Sequence, residues 1–339
     1  MTPCLRVAML ALLAAACGPA PHVAPPTAGT YVNPVATPVA ADPSVVRAAD
    51  GTYYLFATQD DWGDGAYLIP TFRSEDLVSW TFVGDVFDAA PGWKDEGFLW
   101  APDVSRRGDG YVLYYSYSTW GDPNPCIGRA TAARPEGPWT DLGRAVFCSD
   151  DIGVENSIDP FFWEDGGAQT LVWGSFAGIH AVELTADGTA PADAPVRLTD
   201  DRFEAAFVAR RAGFYYLFLS SGSCCAGAAS TYEVYVGRSA SLTGPYVDRA
   251  GLDLRSGGGT RVLAGNATWV GPGHVAVVAD ADSIDWLFYH AIPRADPRLP
   301  NGVNRRPALI DRVAWVDGWP VVHDGAGPST NPQAAPVIR

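Results

Sequence analysis

Three carboxylates stand at a repeating interval in this chain. Counting back twelve or thirteen residues from the central leucine of five aromatic and aliphatic runs reaches Asp42, Ala101, Asp159, Glu204 and His274 in turn. Asp42 and Asp159 each precede a proline, where an aspartate taken singly is ordinarily a turn former. Glu204 is different. It lies between Phe203 and Ala205-Ala206-Phe207 with no cation beside it in sequence, the setting of a buried ion partner or of an acid with a raised pKa. Three carboxyls and an imidazole brought to one place are costly to desolvate unless they do chemistry. Cleavage of an acetal uses such a set. A protonated carboxyl donates to the leaving oxygen, a carboxylate on the other face of the sugar activates water, and a third carboxyl near the first keeps its proton on.

The elements that must position these groups repeat five times. The runs Tyr53–Phe56, Tyr111–Tyr115, Thr170–Trp173, Tyr215–Phe218 and Trp286–Tyr289 each follow a turn rich in Gly or Asp. Before each turn stands another β-prone run, so strand, tight turn, strand is the local reading. The central leucines, Leu55, Leu113, Leu171, Leu217 and Leu287, are spaced by 58, 58, 46 and 70 residues. Outer-strand signals recur at 73–80, 128–139 and 237–246. Four strands per unit at this period predict an all-β, five-bladed propeller. A large sandwich would not demand five similar units. In a propeller the five register positions open the innermost strands and face the axial channel from one end.

Composition narrows the partners. The 339 residues are 47% hydrophobic and 18% charged, enough for a large core and too little charge for a disordered chain. With 23 Lys+Arg against 38 Asp+Glu, the formal charge of −15 repels nucleic acid and favours a neutral partner. Arg6 precedes an apolar stretch from Val7 to Ala16 that is too short to span a bilayer and suits a secretion signal. The small residues before Cys17 resemble a bacterial lipoprotein cleavage box. The sequence therefore predicts a signal over 1–17 with a lipid anchor on Cys17, a Pro/Ala tether over 18–30, a propeller over 31–323 and a tail over 324–339. That places the protein outside the cytoplasm, at the cell surface or outer membrane, with the anchor its only membrane contact. Ordinary signal cleavage nearby is the alternative. Cys126, Cys148, Cys224 and Cys225 permit disulfides in an exported chain. A 126–148 bridge would close a short loop and leave the adjacent pair as a bridge or two thiols. No CxxC pair or HExxH stretch supports a transition-metal site.

The ordered motifs ADPSVV (41–46), WAPDV (100–104), NSIDP (156–160), WGSF (173–176), FEAAF (203–207), SGSCCAGAASTY (221–232), GPGH (271–274) and RRPALIDRVAWVDGWP (305–320) carry a resemblance. From about Asn33 to Val322 the chain resembles glycoside hydrolase family 43, five-bladed propeller hydrolases, and within it the arabinanase-like members. The resemblance implies that Asp42 is the general base, Glu204 the general acid, and Asp159 the residue that orients the acid and tunes its pKa. It implies that His274 lies beside an axial Ca2+ bound mainly through water, although one imidazole is a weak calcium ligand and a satisfied core histidine is the rival reading. Trp100 matches the position that packs against sugar in the catalytic subsite. Asn156 and Ser175 are substrate-binding candidates for sugar hydroxyls, and equally turn or cap residues; His290 reads as core. The implied activity is inverting cleavage of α-1,5-L-arabinofuranosidic bonds in arabinan by a monomer. An exo-acting α-L-arabinofuranosidase or β-xylosidase is the alternative enzyme, and a surface glycan-binding propeller the alternative without turnover. Two positions depart from the pattern. Ala41 stands where endo-acting arabinanases commonly carry His, and Ala205-Ala206 follows the acid where Ala-Pro is typical. Loops Gln59–Tyr67 and Ser118–Cys126 would decide between internal and terminal cleavage.

Overall fold

Each of the five aromatic runs forms the second strand of a four-stranded antiparallel unit, and the five units make a β-propeller. The computed structural model describes residues 29–338; the expected signal, the lipid anchor on Cys17 and the tether up to residue 28 lie outside them. Blade 1 comprises Ser44–Arg47, Tyr53–Phe56, Pro70–Ser74 and Thr81–Asp85. Blade 2 comprises Phe98–Arg107, Gly110–Ser118, Cys126–Ala132 and Thr140–Asp141, with Phe147–Cys148 also paired to its third strand. Blade 3 runs through Phe161–Asp165, Ala168–Trp173, His180–Glu183 and Val196–Arg197, and blade 4 through Glu204–Arg211, Phe214–Ser221, Glu233–Ser239 and Thr260–Leu263. Blade 5 holds Trp269–Ala279, Asp285–Pro293, Ala308–Val316 and Trp319–Val322.

The second strands are apolar on both faces at their centres because both faces of a blade are covered by its neighbours. Tyr53, Tyr54, Leu55 and Phe56 are all buried. Tyr54 and Phe56 pack with Leu113 and Tyr115 of blade 2, while Tyr53 and Leu55 pack with Phe288 of blade 5. Every other joint has its own cluster of the same kind. The turns obey local chemistry: Gly166 and Gly167, at φ 60° and 91°, make the tight connection inside blade 3. Gly128 is demanded by packing, since a Cβ there would lie 2.3 Å from the Tyr115 ring.

Blade 5 is assembled from consecutive strands, so the ring is closed by the segment before blade 1. The Val35 N–H donates to the Ala308 carbonyl at 2.9 Å, and the Ala40 N–H to the Arg306 carbonyl at 2.9 Å. Asn33 bonds both the N–H and the C=O of Ile310. The segment after residue 323 packs onto the same seam: Gln333–Ala334 pairs with Thr30–Tyr31, and buried Ser329 accepts from Asn33. Cys126 is bridged to Cys148 and Cys224 to Cys225.

One feature repeats around the axis. At one equivalent position of each blade, just before or within the inner strand, a residue adopts the left-handed conformation: Asp42 (φ 54°), Ala101 (46°), Asp159 (59°), Ala205 (57°) and His274 (51°). None is glycine, and such backbone persists only where its surroundings hold it. The holding groups are side chains three residues after the central leucine of the preceding blade. Thr58 Oγ1 accepts the Ala101 N–H (2.7 Å), Ser116 Oγ the Asp159 N–H (2.8 Å), Ser220 Oγ the His274 N–H (2.9 Å), and His290 Nδ1 the Asp42 N–H (3.2 Å). The joint between blades 3 and 4 departs from this pattern. Gly174 occupies the accepting position, and the Phe176 N–H instead donates to the Phe203 carbonyl at 2.9 Å.

Ser116→Ala and Ser220→Ala should each destabilise the fold by about 1–3 kcal/mol, because a buried N–H loses its acceptor. Urea unfolding measures this; a change no larger than that of an exposed serine would deny the belt its holding role.

Candidate active site

The inner-strand entries open onto one cavity of about 1180 Å³, lined by all seven residues singled out from sequence: Asp42, Asp159, Glu204, Trp100, Asn156, Ser175 and His274. Bulges in the inner strands aim these side chains. The register shifts between Trp100 and Asp103, between Glu204 and Phe207, and twice between Val270 and Ala276. In blade 4 the left-handed residue is Ala205, so Glu204 sits one place earlier than Asp42 and Asp159 do in their blades.

The Asp42 carboxylate faces a hydroxyl, two imidazoles and a guanidinium. Its Oδ2 accepts from Thr58 at 2.6 Å, while Oδ1 lies 3.2 Å from His290 Nδ1, 3.3 Å from His274 Nδ1 and 3.5 Å from Arg306 Nη1. Burial by itself pushes this carboxyl up, but Arg306, then the two histidines, outweigh it and hold Asp42 well below the usual carboxylate range. Arg306 also reaches Asp60 at 3.8 Å. Burial lowers His274 to about 4 against the pull of Asp42, so the imidazole is neutral near pH 7.

Glu204 is treated in the opposite way. Burial pushes it up to about 7; the Ser175 and Tyr232 hydroxyls pull downward, and the Asp42 charge adds to the rise. The Ser175 hydroxyl donates to Glu204 Oε2 at 2.6 Å. Asp159 is raised well above the carboxylate range by burial, then by the charges of Glu204 and Asp42. Of the three carboxyls singled out from sequence, the cavity thus keeps Asp42 ionised and raises Asp159 and Glu204, of adjacent blades 3 and 4, toward the protonated form. That is the division of labour a paired acid and base need.

The remaining candidates take defined places. Trp100 lies parallel to Phe98 (7°, centroids 6.1 Å apart) and is tilted against exposed Trp120 at 5.4 Å. Together they give the cavity an aromatic wall suited to the C–H faces of a sugar. Asn156 donates to the Ser175 carbonyl at 2.8 Å, so both candidate polar contacts are first engaged in supporting Glu204. His290 is fully buried, as its core reading required, yet its Nδ1 belongs to Asp42 and its ring lies near-parallel to Tyr232. Sequence reasoning missed Arg306 and Tyr232. Both lie inside the quoted motifs, but no local signal says that they converge on Asp42 and Glu204. Gly273 makes room for Tyr232, whose ring a Cβ there would meet at 2.1 Å.

The fit of these side chains to a calcium ion is limited. Among the described residues no three His, Cys, Asp or Glu form a metal-holding set, and the Arg306 guanidinium already faces the Asp42 carboxylate. Ca2+ prefers about six to eight oxygens; His274 would supply one nitrogen and water would have to supply nearly everything else.

The profile of Glycosyl hydrolases family 43 matches residues 31–320. An extracellular exo-alpha-(1->5)-L-arabinofuranosidase of Cellvibrio japonicus is 34% identical over 313 residues, covering 84% of this chain and 86% of that protein. A probable arabinan endo-1,5-alpha-L-arabinosidase A of Aspergillus flavus is 33% identical over 312 residues, covering 86% and 94%. The structure of a Cellvibrio cellulosa alpha-L-arabinanase complexed with arabinohexaose superposes with a TM-score of 0.74 at 32% identity, covering 85% of this chain and 96% of that one.

Glu204 should titrate near neutrality by 13C NMR of labelled carboxyls, and Ser175→Ala, which removes a donor to its charged form, should move the midpoint upward. A midpoint in the ordinary glutamate range, or a downward shift in the variant, would contradict the assignment.

Proposed function

The chain belongs to glycosyl hydrolase family 43, and on that premise we propose that it hydrolyses α-1,5-L-arabinofuranosidic bonds of arabinan and arabino-oligosaccharides with inversion. The observation that carries this reading is the opposite treatment of Asp42 and Glu204 within one cavity. Glu204, holding its proton to about pH 7, donates to the leaving oxygen. Asp42, ionised and fixed by Thr58 and Arg306, takes a proton from the attacking water. Asp159 keeps negative charge away from the acid by remaining protonated itself. Trp100 and its aromatic neighbours present a face to the sugar ring, and the neutral substrate suits an acidic protein. No step is assigned to a metal.

Internal cleavage is the reading favoured here. Release from chain ends is a second one, supported by the name of the Cellvibrio japonicus relative; the length of the first products from linear arabinan separates them. We place the enzyme outside the cytoplasm, acting as a monomer tethered through Cys17.

Glu204→Gln should abolish release of reducing ends from linear arabinan while sparing aryl arabinofuranosides with good leaving groups, which need little protonation. Equal loss on both would remove Glu204 from the acid's role. Asp42→Asn should remove turnover on both and keep binding. In the wild type, kcat/KM should fall about tenfold per pH unit above the Glu204 midpoint near 7, because the acid form is lost there. The basic limb belongs to Glu204 and the acidic limb, well below it, to Asp42. A profile flat to pH 9 would contradict this.

A further inference from the structure

Phe176 is a bulky residue in the left-handed region, at φ 49°, and it is 45% exposed. Both properties are unfavourable for an aromatic side chain, and together they mark a position that surroundings and use must justify. Its backbone is fixed by the bond from its N–H to the Phe203 carbonyl, immediately before Glu204. Phe176 and Glu155 line both the cavity with the carboxylates and a second hollow of about 350 Å³.

The floor of the second hollow is built rather than incidental. Ala177, buried His180 and Arg197 line it with Phe176, and the Arg197 guanidinium is ion-paired with Asp201. Arg197 is held by a bond from its Nε to the Thr199 carbonyl at 2.8 Å and packs over Gly178, where a Cβ would meet the guanidinium at 2.9 Å. Burial lowers His180, so it adds no charge near neutral pH. One cation against the carboxylates of Glu155 and Asp201 leaves the hollow net negative, which disfavours an anion. Fixed donors and acceptors beside an aromatic edge suit a neutral polyol.

We propose that this hollow is a distal sugar subsite, which receives a furanosyl unit of the leaving part of a neutral arabinan chain that passes from the cavity over the shared residue Phe176. The assignment rests on the arabinan reading above. Its side follows from connectivity: Phe176 is tied to the strand entry that carries the acid, and the acid faces the leaving oxygen. Arg197 and Asp201 are positioning residues here, remote from the reacting atoms.

The test compares linear arabinohexaose with arabinotriose. In Arg197→Ala, and separately in Ala177→Trp, which fills the hollow without deleting a polar group, the hexaose-to-triose ratio of kcat/KM should fall about five-fold or more, the equivalent of one net hydrogen bond. The loss should appear in KM for the hexaose. Thermal melting of both variants identifies a fold defect, and a folded variant of either kind decides the matter. An unchanged ratio, or equal loss on both substrates, would overturn the subsite while leaving the arabinan reading in place. A wild type inactive on both sugars would sink the arabinan reading and the subsite with it.

Discussion

The site depends on a belt of hydrogen bonds between successive blades. Each blade carries, just before or within its inner strand, a residue in the left-handed conformation; at Asp42, Asp159 and His274 that residue's side chain lines the axial cavity, and in blade 4 left-handed Ala205 follows the Glu204 that does. That conformation costs on the order of 1–3 kcal/mol per non-glycine residue. At four joints a hydroxyl or an imidazole from the preceding blade accepts the N–H of that residue. The five apolar clusters press the blades together, but they are non-directional. The belt supplies what they lack, a fixed angle for each entry. Thr58 shows the economy of the arrangement, since one hydroxyl accepts from the Ala101 N–H and donates to the Asp42 carboxylate.

The exception at the joint between blades 3 and 4 coincides with Glu204. Gly174 has no side chain to accept an N–H, and a Cβ there would lie 2.3 Å from the Gly178 carbonyl oxygen. Ser175, the next residue, bonds the Glu204 carboxyl itself. The polar group that elsewhere fixes backbone is here applied to the Glu204 side chain, whose carboxyl burial raises toward neutrality. The same geometry separates the two charge states: Arg306 and two imidazoles gather at Asp42, while hydroxyls from Ser175 and Tyr232 attend Glu204.

Much of this was legible in the sequence because a propeller writes its architecture as a repeat. The five second strands, the propeller, and the convergence of residues 42, 159, 204 and 274 follow from counting back from five leucines. Counting forward would have found the belt as well, at Thr58, Ser116, Gly174, Ser220 and His290. The one-residue offset of Glu204 was hidden, because a bulge changes register without changing composition. Arg306 was hidden for another reason: it meets Asp42 across 264 positions through ring closure, which no local pattern encodes. Asn156 and Ser175 read as contacts for sugar hydroxyls, and the structure shows their first partners to be within the protein. The disulfide pairing, open in sequence, is settled by the pairing of Cys126 with Cys148 across neighbouring strands.

The central claim is that an ionised Asp42 and a protonated Glu204 act together on one water and one leaving oxygen. The configuration of the first-formed sugar reports on it directly. Proton NMR of the earliest products from an α-linked arabino-oligosaccharide, recorded before mutarotation, should show the β-anomer. An initial α-anomer would mean that the water is not activated as described and that Asp42 has been given the wrong role.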